Sequence, residues 1–131
     1  MSAILEYQKA VYAKLQADSA LVASVQGIYD SVPQNAVVPY IYFGDATTED
    51  TSNLAKNSAK INFTIFCISE TLGKKQAAEI AEKIRALLHR ATLTLSGYTH
   101  INTRYVEQKI SLAGNGINYI AELLFEAVVS A

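Results

Sequence analysis

The sequence predicts an α+β domain: a four-stranded, mainly antiparallel sheet with two main helices packed on one face. Three observations lead there. Two stretches, near residues 3–18 and 71–90, repeat their apolar residues at helical spacing. Two others, at 59–67 and 117–129, alternate residue by residue, as a strand with one buried face does. The length, 131 residues, is one domain's worth of chain. Area scaling gives a surface of roughly 6,800 Å² folded and roughly 20,700 Å² unfolded, so folding buries about two-thirds of it. Helices this one-sided need a sheet face to cover, and no repeat or linker divides residues 1–131.

The first helix carries Ile4, Tyr7, Val11 and Leu15 at spacings of three and four, with Leu5 and Tyr12 widening the stripe. A second, short helix starts at Ser19 as N-cap, carries Leu21, Val22 and Val25, and stops at Gly27. Ile28-Tyr29-Asp30 reads as a brief extended piece. Val32-Pro33 and Val38-Pro39 each hold the residue before proline out of the helical region. Tyr40-Ile41-Tyr42-Phe43, β-branched and aromatic between Pro39 and Gly44, is a short strand whose leading proline favours a strand start or a sheet edge.

Residues 45–58 hold one large apolar residue, Leu54, among polar ones, and predict a long, exposed, mobile loop. Ala59, Ile61, Phe63, Ile65 and Cys67 then alternate with Lys60, Asn62 and Thr64. Phe66 and Ile68 make the second face apolar near the end, which predicts cover on both sides there. In the third helix Ala77, Ile80, Ala81, Ile84, Leu87 and Leu88 form one stripe, with Lys75–Glu79 and Glu79–Lys83 as outward i,i+4 pairs. Leu93–Leu95 reads as a short strand before a Gly97 turn, and His100–Ile110 as extended. Gly114-Asn115-Gly116 is a turn. The last strand places Ile117, Tyr119, Ala121, Leu123, Phe125, Ala127 and Val129 on one face.

Composition narrows the function classes. Half the residues are apolar and 18% are charged, which excludes a disordered tail or a low-complexity linker. No apolar run approaches the ~18 residues of a membrane span, and Met1-Ser2-Ala3 opens no signal peptide. The single cysteine, Cys67, rules out an intramolecular disulfide framework and points to a reducing cytoplasm. A formal charge of −1 lacks the footprint of a nucleic-acid binder.

Reactive constellations are missing. His89 ends a helix, where a cation suits the dipole, and His100 opens a strand; neither belongs to a metal-ligand spacing. Cys67 lies on the apolar face of its strand and reads as a buried, inert thiol. Gly73-Lys74-Lys75 lacks the upstream glycine and the Ser/Thr of a phosphate loop. Asp45, Glu49 and Asp50 lack the glycine and terminal glutamate of a calcium loop. Arg85, Arg90 and Arg104 are too scattered for a basic stripe. Eight tyrosines against four phenylalanines hint at interface use, because Tyr is at home half-buried. No catalytic, cofactor or metal residue is predicted.

With the order of elements, two strings carry a resemblance: Ile28-Tyr29-Asp30-Ser31-Val32-Pro33 and Pro39-Tyr40-Ile41-Tyr42-Phe43-Gly44-Asp45. Together with the helix ending Leu87-Leu88-His89 and the long final strand, the chain resembles the tail-completion, or tail-terminator, proteins of long-tailed bacteriophages and gene transfer agents. The carboxyl end departs from that pattern in having less arginine and aromatic character around Tyr119–Phe125.

The resemblance implies a structural, non-enzymatic virion protein at the head–tail junction, made in the host cytoplasm. It implies a ring, typically of six copies, that caps the tail tube and docks the head connector. Its partners would then be itself, the tube protein and the connector protein, with no membrane and no cofactor. Near-neutral charge suits a channel through which DNA slides without specific binding. A ring needs a heterologous contact, one patch meeting a different patch on the neighbour.

The interface candidates are Tyr40, Tyr42 and Phe43, if that strand lies at a sheet edge, with Asp45, Glu49, Asp50 and Leu54 of the polar loop and Asn115 of the turn. The bland alternatives are a strand already protected by Pro39 and idle surface loops. Two rival functions stand beside the ring. One is another head–tail or tube component of the same particle; the other is a small ferredoxin-like ligand-binding domain or enzyme.

Overall fold

The computed structural model describes residues 3–55, 57–70 and 74–130. Among the described residues three helices and five strands follow in the order α1 (Ala3–Gln16), α2 (Ser19–Ser24), β1 (Ile28–Tyr29), β2 (Tyr40–Asp50), β3 (Ser58–Ile68), α3 (Lys75–Leu88), β4 (Thr99–Leu112) and β5 (Tyr119–Ser130). The strands form one sheet in the order β1-β2-β3-β5-β4, antiparallel except for the β1–β2 pair. The surface is 7208 Å², close to the scaling expectation.

The inner face and the helices share one core. Tyr7, Val11 and Leu15 of α1 and Ala77, Ile80, Ala81, Ile84 and Leu88 of α3 are buried in the same cluster as Ile41, Phe63, Ile65, Cys67, Leu123 and Phe125. Both main helices therefore cover one face, as predicted. The cap of α2 lies one residue earlier than the sequence reading: the Asp18 carboxylate accepts from the Leu21 N–H at 2.9 Å, and the helix ends at Ser24, short of Gly27.

Four expectations need correction. The sheet has five strands, because the brief piece Ile28–Tyr29 pairs in parallel with Ile41 and Tyr42. Tyr40–Phe43 is consequently flanked on both sides and is no sheet edge at Ile41 and Tyr42.

The predicted loop at 45–58 is a strand as far as Asp50. A register shift between Phe43 and Ala46 marks a bulge, after which Ala46 to Asp50 pair with Phe63 to Ala59. Composition misled here because a strongly patterned partner strand can carry a polar one. Asn62 donates to Thr47 Oγ1 at 3.4 Å, and Lys60 meets Glu49 at 3.5 Å, across the pair. The remaining turn is tied by its own side chains: Thr51 Oγ1 lies 2.7 Å from Ser58 Oγ, and the Ser52 N–H donates to Asp50 at 2.9 Å.

Finally, no described element covers the outer face over Phe66 and Ile68. Both side chains are half-buried, with the Phe66 ring stacked on Tyr42. The extended reading of His100–Ile110 holds as β4, and Leu93–Leu95 contributes a single bridge, Leu95 to Tyr98. On α3, Lys75 pairs with Glu79 at 4.0 Å. Lys83 instead donates to Ser24 Oγ at 2.6 Å, tying α3 to α2.

Candidate functional site

The outer face of the sheet divides into two halves. At the end where β2 begins, aromatic rings run across three strands. Tyr29 and Tyr40 lie 5.8 Å apart, Tyr40 and Tyr42 6.1 Å, and Tyr42 stacks on Phe66 at 4.9 Å and 10°. Gly44 is required beside them, since a Cβ there would overlap the Phe66 ring. Ile68 and Ile120 pair across β3 and β5 and continue the patch. Desolvation, then the neighbouring Tyr40 and Glu122, raises the pKa of the Tyr42 hydroxyl, which keeps that hydroxyl neutral.

Towards the other end the same face is charged. Glu49, Lys60, Glu126 and Arg104 come from four successive strands, with contacts of 3.5, 4.0 and 3.5 Å. Charges this exposed are worth little in stability, but they make this half polar, whereas in the first half aromatic rings dominate and Glu122 and Lys109 border them.

The predicted interface residues do not converge. Tyr40 and Tyr42 belong to the aromatic half. Phe43 points the other way, into the core, 6% exposed, with Phe63 at 5.4 Å. Asp45 sits at the bulge, and Glu49 and Asp50 close the far end of β2. The Asp50 carboxyl is held below its usual pKa by hydrogen bonds from Ser52. Leu54 is fully exposed in the turn between β2 and β3. Asn115 builds the β4–β5 turn: its Oδ1 accepts from Ile117 and Asn118 N–H groups, and its Nδ2 donates to Asn118.

The groups with chemical potential are occupied structurally. Burial pushes the Cys67 thiol up to about 12. His89 Nδ1 accepts from the Tyr105 N–H at 3.0 Å, a bond to the margin of β4 that the helix-end reading missed. His100 Nε2 meets Thr103 Oγ1 at 2.6 Å, and that hydroxyl meets Tyr7 OH at 3.0 Å, in a chain joining β4 to α1. Among the described residues no three of His, Cys, Asp and Glu converge as metal ligands, and no helix is long and apolar enough to cross a membrane. The groove lined by Gln8, Lys9, Tyr12, Asp30 and Phe43 holds about 220 Å³, below the ~300 Å³ at which small-molecule sites begin.

Sequence reasoning passed over the outer-face residues Tyr29, Phe66, Ile68 and Ile120 as a site. The signal was present, because apolar residues stand at even positions in both β3 and β5; at the end of β3 it reads as a face covered on both sides, and in β5 nothing was drawn from it.

The model of the family "Tail completion protein gp17" matches residues 9–130. This chain belongs to that family. Tail completion proteins are structural components of the virion and not enzymes, which agrees with a site made of shape and charge. A chain from the virion of a native gene transfer agent particle is similar over 99% of this chain and 98% of its own length, at 26% identity and a TM-score of 0.91. The gp17 protein of bacteriophage SPP1 shares the fold over 92% of this chain and 86% of its own, at 18% identity and a TM-score of 0.65. No curated protein matches the chain.

Proposed function

We propose that this tail completion protein is a tail terminator. Copies form a ring, six in number, at the head-proximal end of the tail tube; the ring ends tube growth and presents the surface that docks the head connector. The observation that carries this reading is end-to-end similarity to a chain of a gene transfer agent virion. The family match over residues 9–130 supports it.

The chain's own chemistry is consistent with the role. A ring subunit needs a rigid body and unlike contact surfaces, and it needs no reactive group. The core supplies the body, and the divided outer face and the two sheet margins supply the surfaces. The formal charge of −1 suits a channel through which DNA slides without sticking. A place at the head–tail junction of the virion follows from the same reading.

Deletion of the gene in the element that encodes it tests the role. The expected result is tubes of irregular length, or tails that fail to join heads, in electron micrographs. Tails of normal length joined to heads would refute it. Labelled particles showing the protein along the tube would assign it instead to the tube.

A further inference from the structure

We propose that neighbouring copies join margin to margin, the free stretch of β2 on one copy pairing antiparallel with the last stretch of β4 on the next. The inference rests on the ring reading above and names the surfaces that close it.

The sheet has two outer margins, and each is partly covered. β1 shields β2 only at Ile41 and Tyr42; from Gly44 to Asp50 no described strand lies beyond β2. On β4 the chain leaving α3 occupies the first half. The Arg90 N–H donates to the Thr103 carbonyl at 2.7 Å, and His89 Nδ1 accepts from the Tyr105 N–H at 3.0 Å. Register shifts leave Ile101 and Val106 as bulges. Beyond the second bulge, Gln108–Leu112 carries no such cover among the described residues. Bulges and covered stretches limit how much of a margin can pair, and so guard a free subunit against indefinite sheet growth.

Charge selects which margins meet. Residues 44–50 hold Asp45, Glu49 and Asp50 and no cation. Two such margins laid together would oppose carboxylates from both copies, which is destabilising across strands. In Gln108–Leu112 the one charged residue is Lys109, which makes no ion pair among the described residues. Pairing through β5 and β3 places Lys109, opposite Glu122, on the same outer face as Glu49, opposite Lys60. Glu49 facing Lys109 is therefore the favoured register, and in an antiparallel pair it sets Thr47 opposite Ser111.

The geometry of closure agrees. Within one sheet Glu49 lies level with Val128, and Lys109 lies level with Glu122. Each junction thus steps along the strands from Val128 to Glu122, roughly 20 Å at ~3.4 Å per residue. Each copy contributes β2, β3, β5 and β4 to the circumference, roughly 19 Å at ~4.8 Å per strand. Step and width together give a strand tilt of roughly 45°, at the upper end of the ~35–45° of closed barrels. The contact joins unlike margins, so it is head-to-tail and able to close.

Disulfide trapping tests the register. Cys67 is fully buried and silent. In a single copy the two margins are three strand spacings apart, roughly 14 Å, too far for a disulfide. The variant Thr47→Cys/Ser111→Cys should give a ladder of reducible multimers on mild oxidation, in concentrated protein or in purified particles. Each single variant should stay monomeric on the same gel, and Thr47→Cys/Glu107→Cys should ladder far less. Adding Lys109→Glu to the first pair should cut the ladder several-fold. If the parent is multimeric by native mass spectrometry and the first pair gives no ladder, the register is wrong and the ring stands. Dimers from Thr47→Cys alone would replace it with a β2–β2 contact. A parent that is monomeric in solution and absent from particles overturns the ring and this junction together.

Discussion

The two faces of the sheet are drawn from the same five strands, yet one is a core and the other is a surface still exposed to contact. On the inner face Ile61, Phe63, Ile65 and Cys67 are wholly excluded from solvent beneath α1 and α3. On the outer face the residues between them, Lys60 to Ile68, are half-buried. The assembly proposed above would make use of this division. Stability is placed where the helices are, and the aromatic and charged residues opposite are left for contact. Substitutions on the two faces should differ accordingly.

The largest contrast comes from α3. Ile84 is fully buried against the inner face, so Ile84→Asp places an unpaired charge in the core. The expected cost exceeds ~4 kcal/mol, enough to abolish the cooperative melting transition in circular dichroism. An unchanged transition would mean that α3 does not cover the sheet. A finer comparison lies within one strand. Phe63→Ala should cost ~3–5 kcal/mol in chemical denaturation, as large-to-small changes in cores do. Phe66→Ala removes a half-exposed ring stacked on Tyr42 and should cost only about 1 kcal/mol. Equal costs would show that the outer face is as much a core as the inner one.

How far this division was legible in the sequence depended on the face. Alternation in β3 and β5 and the stripe on α3 are dictated by burial on one side, so the inner face could be read almost residue by residue. The outer face obeys weaker rules. Phe66 and Ile68 look alike in sequence whether a helix covers them or a partner protein does. Residues 45–50 were read as loop because Asp, Thr and Glu carry little strand preference; cross-strand bonds from Lys60 and Asn62 make them a strand. The tyrosine excess did point to a half-buried surface, and Tyr29, Tyr40 and Tyr42 occupy one. The bonds of His89 and His100 were out of reach, because their partners lie on strands whose register no local pattern specifies.

A smaller effect probes how the inner face is tied at its polar point. Tyr7 is fully buried, edge-on to Phe63 at 5.5 Å, and its hydroxyl bonds Thr103; burial pushes its pKa up to about 12, so it stays neutral. Tyr7→Phe keeps the ring and leaves Thr103 Oγ1 with His100, so the loss should be about 1 kcal/mol, that of one neutral hydrogen bond. A loss several times larger would mean that the hydroxyl chain acts as a unit.

The smallest effect is a pH dependence from the far end of that chain. Burial lowers the His100 imidazole below its ordinary 6.5. The geometry explains why the neutral ring is preferred. Nδ1 accepts from the Leu93 N–H at 3.4 Å while Nε2 faces the Thr103 hydroxyl, so a second ring proton would point at a donor. With the folded value depressed, the unfolded chain takes up the proton first as pH falls. The contribution of His100 is therefore complete well above pH 6.5 and is lost progressively as pH drops through 6.5 towards the folded pKa. Melting temperatures at pH 7.5 and 5.5 should fall further for the parent than for His100→Gln, whose amide does not titrate. Parallel falls would show that the ring is as well solvated in the fold as outside it, and that the junction of β4 with α1 is open to water.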